Sequence, residues 1–174
     1  MTDAPANPTP PADAGVDQQP VIRVLGQYLK DLSFENPGAP ASLRGQGQPQ
    51  IRLQIDVRAR AVEENAYEVE LLLNAEAERE GAKVFIAELS YAGLFQIENV
   101  DDRAREPFLL IEAPRIIFPF ARRILSDATR DGGFPPLMLE PVDFAALYRQ
   151  RLAQAQQQAQ SQTVPDAPNG GGAA

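Results

Sequence analysis

The chain has 174 residues, with 16 Lys and Arg against 24 Asp and Glu, a formal net charge of −8. That balance makes nucleic acid and anionic membrane poor partners and favours a basic one. Cys and His are both absent, which removes disulfides, thiol nucleophiles, imidazole bases and the usual zinc ligands. Residues 1 to 20 carry five prolines, three aspartates and no Lys or Arg, and residues 153 to 174 are rich in Gln, Ala and Gly with Asp166 as their one charge. Both tails are expected to be disordered, because such composition buries too little apolar surface to offset the entropy of ordering. One domain is expected over residues 21 to 152, with a charge near −4. No basic region followed by an apolar run opens the chain, and no stretch approaches the roughly 20 apolar residues of a membrane span. The sequence reads as soluble and cytoplasmic.

The first predicted strand runs from about Val21 to Glu35. Its end, Lys30-Asp31-Leu32-Ser33-Phe34-Glu35, alternates polar and apolar residues before Asn36-Pro37-Gly38-Ala39-Pro40 stops the pattern. Asp31, Ser33 and Glu35 share one face, and Leu32 and Phe34 the other. Asp31 and Glu35 lie roughly 13 Å apart along a strand, too far for a coupled catalytic pair but suited to an acidic surface. A long Gly/Pro loop, Asn36 to Pro49, follows.

From Gln50 to Ala61 every odd position is apolar and every even one polar. The same rule holds from Tyr67 to Glu78, with Leu72 as the exception, after a turn over Val62 to Ala66. Centring this hairpin near Glu64 sets Arg60 opposite Glu68, Arg58 opposite Glu70 and Arg52 opposite Glu76, at about 0.2–1 kcal/mol for each pair. A one-residue slip would turn every apolar side chain outward. After Glu80-Gly81-Ala82 comes a fourth strand, Lys83 to Ile97. Phe85, Ala87, Leu89 and Tyr91 share one of its faces, Val84, Ile86, Glu88 and Ser90 the other. Both faces carry apolar residues, so this strand is expected to be covered on both sides or to lie at a subunit contact. Gly93 is expected to mark a bulge or kink.

Asp101 to Glu106 reads as a charged link. From about Glu112 to Asp131 the spacing of Ala113, Ile117, Phe120, Ala121, Ile124 and Ala128 predicts a helix that ends before Gly132-Gly133, with Pro119 as a point of start or kink. Phe134 to Pro141 is a loop with three prolines. Asp143 then caps a second helix with the stripe Phe144, Leu147, Tyr148 and Leu152. Four strands and then two helices make an α+β domain with an antiparallel sheet.

No Walker motif, GxGxxG or GxSxG elbow is present, and Gly45-Gln46-Gly47-Gln48 lacks the helix a phosphate site needs. Most carboxylates fall on a predicted solvent face, and Asp101-Asp102 is a weak cation signal that fits a solvated loop better. An enzyme is not expected, and neither a metal nor a cofactor. What remains is apolar: Phe134-Pro135-Pro136-Leu137-Met138-Leu139, beside Phe144, Leu147 and Tyr148, is a reasonable floor for a groove that takes apolar segments.

Several stretches, in order and spacing, resemble the bacterial protein-export chaperone family SecB over about residues 21 to 152. They are Lys30-Asp31-Leu32-Ser33-Phe34-Glu35 with Pro37 and Ala39-Pro40, the strand Gln48 to Val57, Tyr67-Glu68-Val69, Gly93-Leu94-Phe95, Ile117-Phe118-Pro119-Phe120-Ala121-Arg122, Gly133-Phe134-Pro135-Pro136-Leu137 and Leu139-Glu140-Pro141-Val142-Asp143-Phe144. The resemblance implies an ATP-independent holdase that keeps unfolded secretory precursor proteins in the cytoplasm and delivers them to the SecA motor. It implies a homotetramer, a dimer of dimers, and neither nucleic-acid binding nor membrane insertion.

Carried over by position, the SecA-binding face is Asp31, Glu35, Ile86 and Glu88. The client groove takes Leu43, Phe134, Leu137, Leu139, Phe144, Leu147 and Tyr148. Subunit association takes Phe85, Ala87, Leu89 and Tyr91, with Ile117, Phe120 and Ile124 from the first helix. Better-known members carry a tryptophan in the first long loop, where this chain has Gly47; the loop here is expected to be more mobile and to lend the groove no aromatic ring. A SecB-like chaperone dedicated to a toxin–antitoxin pair, or to another single partner, shares the fold and is the alternative reading. Retention of Asp31, Glu35 and Glu88 favours the SecA-linked role.

Overall fold

The structure, a computed structural model, describes residues 19 to 161. The expectations for most of the two tails therefore lie outside the described residues. Four strands, β1 (Val21–Glu35), β2 (Gln50–Glu63), β3 (Ala66–Arg79) and β4 (Ala82–Glu98), form one antiparallel sheet in the order β1-β4-β3-β2. β2, β3 and β4 are joined by tight turns, and β1 returns through the long loop to the far side of β4. That is Greek-key connectivity. The β2–β3 register sets Arg52 opposite Glu76, Arg58 opposite Glu70 and Arg60 opposite Glu68, as the charge pattern predicted. Two of the three pairs close, Arg60 Nε to Glu68 at 2.6 Å and Arg52 to Glu76 at 3.8 Å. Arg58 turns instead to Asp56 on its own strand, at 3.4 Å.

The helical layer begins earlier than the sequence suggested. Asp101 accepts a hydrogen bond from the Arg103 amide at 2.8 Å and caps α1 (Asp102–Pro107), so the expected charged link is the first turn of a helix. Arg105 and Asp102 pair three residues apart at 2.8 Å and support it. One π-helical turn, Phe108–Glu112, leads into α2 (Ala113–Asp131). The helix runs through Pro119, whose missing hydrogen bond costs about 3 kcal/mol. Burial of Ile117, Phe118, Ala121 and Leu125 against the sheet offsets that cost. α2 ends in a Schellman motif, in which the Phe134 amide donates to Thr129 O at 3.1 Å and the Gly133 amide to Arg130 O at 3.0 Å. Gly133 has φ +88°, which favours glycine. The Ala146 amide donates to Asp143 Oδ1 at 3.0 Å, the predicted cap of α3 (Phe144–Ser161). α3 continues past the expected boundary at residue 152, because Ala153 to Ser161 is an Ala/Gln run with no Gly or Pro to stop it.

α2 crosses the sheet over its central strands. Phe85, Leu89, Phe95 and Ile97 of β4 and Val69, Leu71 and Leu73 of β3 are buried with Ile117, Ala121 and Leu125 of the helix. Gly93 is not a bulge. It pairs regularly with Gln27 and Val69, and a Cβ there would lie 2.9 Å from Ile117 Cγ2, so it is the point of close helix–sheet approach. In the β1–β4 ladder the irregularities lie in β1 instead, where the register shifts between Val24 and Gly26 and between Leu29 and Asp31.

Candidate interaction surfaces

Paired residues of neighbouring strands point to the same side of the sheet. Asp31 lies opposite Ser90, Ser33 opposite Glu88 and Glu35 opposite Ile86, and in turn Leu72, Asn74 and Glu76 of β3 lie opposite Ser90, Glu88 and Ile86. Asp31, Glu35, Ile86 and Glu88 therefore share the face turned away from the helices. Glu88 accepts a hydrogen bond from the Asn74 amide at 2.8 Å, and among the described residues no Lys or Arg pairs with Asp31, Glu35 or Glu88. Beside them lies a depression of about 300 Å³ whose lining includes Asp31, Asp56, Arg58, Glu88 and Ser90 together with Ile55, Leu72, Leu73 and Leu89. Leu72, the one break in the alternation of β3, puts an apolar side chain on this face.

Further along the same face the charges are closed on themselves. Glu68 is 3% exposed and is reached by the Tyr28 hydroxyl, by Arg60 at 2.6 Å and by Lys30 at 3.4 Å. Lys30 also meets Glu70 at 3.3 Å. The Tyr28 hydrogen bond, aided by Arg60 and Lys30 and opposed by burial, holds the Glu68 carboxyl below the usual carboxylate range. The same bond to Glu68, with burial, raises the Tyr28 phenol above its ordinary value. Sequence reasoning found the Arg60–Glu68 pair but missed Tyr28 and Lys30. Only the pairing of β1 with β4 brings those two within reach.

On the helix side the groove residues divide. Phe134, Leu139 and Phe144 are core residues of the subunit, Phe144 at 1% exposure. The Phe134 ring lies 5.1 Å from Phe85 and 6.3 Å from Phe34, and Phe144 meets Phe118 edge-on at 5.8 Å. They shape the surface from beneath and do not line it. Leu43 is exposed on a short 3₁₀ turn of the first long loop, Ala41–Arg44, which Arg79 holds by a 3.2 Å bond to Ser42 O. A Cβ at Gly133 would lie 3.1 Å from Leu43, so the two expected loops do meet. Thr129, buried in α2, accepts from the Leu137 amide at 2.9 Å and fixes the second loop against the helix.

Leu147 and Tyr148 lie elsewhere, in a cleft of about 380 Å³ between α3 and β2 lined also by Ile55, Val57, Leu110 and Arg151. Arg151 donates to the backbone carbonyl of Val57 at 2.8 Å, across the open edge of β2. Nearby on the helix-facing side of β2, Ile51 and Leu53 are exposed. Leu110 was not singled out from sequence, and Ile51 and Leu53, which the alternation placed on the packed face of the strand, are exposed. The signal for Leu110 was the unassigned apolar run Phe108-Leu109-Leu110-Ile111, and for Ile51 and Leu53 an edge position that alternation alone does not reveal.

Of the residues expected at subunit contacts, Phe85, Ala87, Leu89, Tyr91 and Ile117 are buried within one subunit, under its own α2. The expected cover of β4 on both sides is only partial: α2 covers one face, while on the other Val84, Ser90 and Ala92 are buried, Ile86 is half-buried and Glu88 is exposed. Ile124 is half-buried, and Phe120 is exposed with Ile116 on the outer side of α2.

Among the described residues no helix is long and apolar enough to cross a membrane. Residues 15–155 match the family model described as preprotein translocase subunit SecB. A protein-export protein SecB of Maricaulis maris (strain MCS10) is 66% identical over 154 residues, 88% of each chain. Another, of Rhodopseudomonas palustris (strain TIE-1), is 55% identical over 155 residues, 88% of this chain and 96% of that one. Among solved structures, a SecB-like chaperone of Mycobacterium tuberculosis, in complex with a peptide from an antitoxin, superposes with a TM-score of 0.58 at 18% identity, covering 70% of this chain and 90% of its own. That likeness is one of fold. With the sheet and nearly all of the helical layer inside the matched span, the chain belongs to the SecB family.

Proposed function

We propose that this chain is an export chaperone: it holds unfolded secretory precursors in the cytoplasm without ATP or another cofactor and passes them to SecA, working as a dimer of dimers. The observation that carries the reading is the separation of two chemically different surfaces on opposite sides of one sheet. Asp31, Glu35 and Glu88, which have no Lys or Arg partner among the described residues, stand on the face away from the helices with Ile86 beside them. Leu43 and Leu137, and the cleft of Leu110, Leu147 and Tyr148, lie on the helix side. A client on one side leaves the other free for the motor. Short apolar segments bind weakly at each subunit, and a long unfolded chain that reaches several subunits is held tightly while each contact stays fast to release. The 66% identity to an export SecB favours this reading over a chaperone dedicated to an antitoxin.

The test is twofold. The purified protein is expected to suppress aggregation of an unfolded secretory precursor, and Asp31→Lys with Glu35→Lys is expected to abolish SecA binding while leaving that suppression intact. Absence of any protection, or SecA binding that survives the double reversal, overturns the assignment.

A further inference from the structure

Strict alternation from Leu29 would carry Asp31, Ser33 and Glu35 to the helix side and Leu32 and Phe34 to solvent. Leu29 lies opposite Tyr91, on the helix side. The structure avoids the mismatch with one extra residue: the pairing steps from Leu29↔Tyr91 to Asp31↔Ser90, and Lys30 is the residue left over. Lys30 and Asp31 thus both face away from the helices, as does Tyr28. The Lys30 side chain reaches across β4 to β3, where its ammonium lies 3.4 Å from Glu68 and 3.3 Å from Glu70. It passes the position of Ala92, which pairs with Tyr28 on one side and Glu70 on the other and is itself fully covered. Glu70 also accepts from the Ser90 hydroxyl, and Ser90 stands opposite Asp31.

Within one subunit β1 is an edge strand with β4 as its single neighbour, so no second ladder of the same subunit pins the extra residue. Further along, Phe34 stacked on Phe85 with centroids 5.7 Å apart fixes which face Phe34 takes. It does not fix where between Leu29 and Phe34 the extra residue is absorbed. A shift of the bulge by two residues, to Leu32, would leave Phe34 in place and turn Asp31 toward the helices. We propose that Lys30 is the positioning residue of the acidic docking face, its ion pairs with Glu68 and Glu70 holding the bulge where it presents Asp31 beside Glu88 and Ile86. This rests on the reading of that face as the SecA surface.

The sign of one substitution separates positioning from simple charge. Lys30→Met keeps the aliphatic stem over Ala92 and removes a cation from an acidic face. If the face acts only through its net charge, a basic partner binds more tightly. If Lys30 positions Asp31, binding weakens, by about twofold to fivefold for the loss of one ordered contact. The measurement is titration of the full-length chaperone with its cognate SecA. Lys30→Arg is expected to bind as wild type, precursor protection is expected to be unchanged in both variants, and Lys30→Met is expected to be non-additive with Asp31→Ala but additive with Glu35→Ala. Unchanged or tighter binding by Lys30→Met, in a protein whose Asp31→Lys/Glu35→Lys form does lose SecA, overturns the inference alone. Binding that survives the Asp31/Glu35 reversal removes the docking face and this inference with it.

Discussion

Glu68 is enclosed on a sheet face that otherwise meets water, and it stays charged there because Tyr28, Arg60 and Lys30 all donate to it. Its carboxyl is held below the ordinary value of 4.5, so the folded state binds fewer protons than the unfolded state around and below that pH. The contribution to stability is complete above about 4.5 and is lost as pH falls through the lower folded value. Glu68→Gln is therefore expected to cost about 1.5–3 kcal/mol at neutral pH, the range for hydrogen bonds to charged groups. The cost should shrink toward zero in acid, as the wild type loses the same interactions. Urea unfolding of both proteins at a series of pH values from 3 to 7 checks it; parallel stability curves would show that the network is not coupled to protonation. Half of this site was legible beforehand. Arg60 and Glu68 face each other across a tight hairpin, where register follows from pattern. Tyr28 and Lys30 come from a strand that ends at Glu35, far in sequence from the start of β4 at Ala82, and is interrupted by two bulges, and nothing in a period-two pattern marks where a bulge falls.

At the level of elements, the strands were readable because each alternates cleanly and three of the four are joined by tight turns. The helical layer was harder for two physical reasons. Asp101-Asp102-Arg103-Ala104-Arg105-Glu106 is too polar to announce a buried face, so its helix is visible only through the Asp101 cap and the Asp102–Arg105 pair. In α2, apolar residues occupy two sides. The sequence stripe joined Ile117 and Ala121, which are buried, to Phe120 and Ile124, and passed over Phe118, Leu125 and Thr129 on the covered side. Thr129 has the largest consequence among these. Its hydroxyl donates to Ser126 O at 2.9 Å and accepts from the Leu137 amide at 2.9 Å, so the proline-rich loop hangs from the helix by a side chain. Thr129→Val keeps the shape and strands the Leu137 amide. It is expected to cost about 1–3 kcal/mol, the usual penalty for an unsatisfied buried donor, and to speed hydrogen exchange at Leu137 while the β2–β3 hairpin amides stay protected. Exchange at Leu137 as slow as in wild type would show that the loop is held by its apolar contacts alone.

For the whole molecule, the decisive feature is apolar surface that one subunit leaves uncovered. Phe120 is 46% exposed with Ile116 on the outer side of α2, and Leu29 and Leu32 are exposed on the helix-facing side of edge strand β1. Phe85, Ala87, Leu89 and Tyr91, the strand residues expected at subunit contacts, are buried in the subunit's own core, which leaves the outer side of α2 and the flank of β1 as the apolar surface open to the proposed association. In a two-fold interface the same residue is used by both copies, and a substitution acts twice. Leaving one large apolar side chain unburied costs about 2 kcal/mol, hence about 4 kcal/mol for each pair of subunits, roughly a thousandfold in the dissociation constant. In the proposed dimer of dimers, Phe120→Asp is therefore expected to lower the mass seen by light scattering at micromolar concentration from tetramer to dimer. The far-ultraviolet circular dichroism should be unchanged, because Phe120 closes no part of the subunit core. Leu29→Asp probes the β1 flank in the same way. A tetramer unaffected by either change would mean that the exposed apolar surface serves clients rather than assembly. Precursor protection by the two variants then becomes the discriminating measurement, since a client surface loses affinity where an assembly surface loses mass.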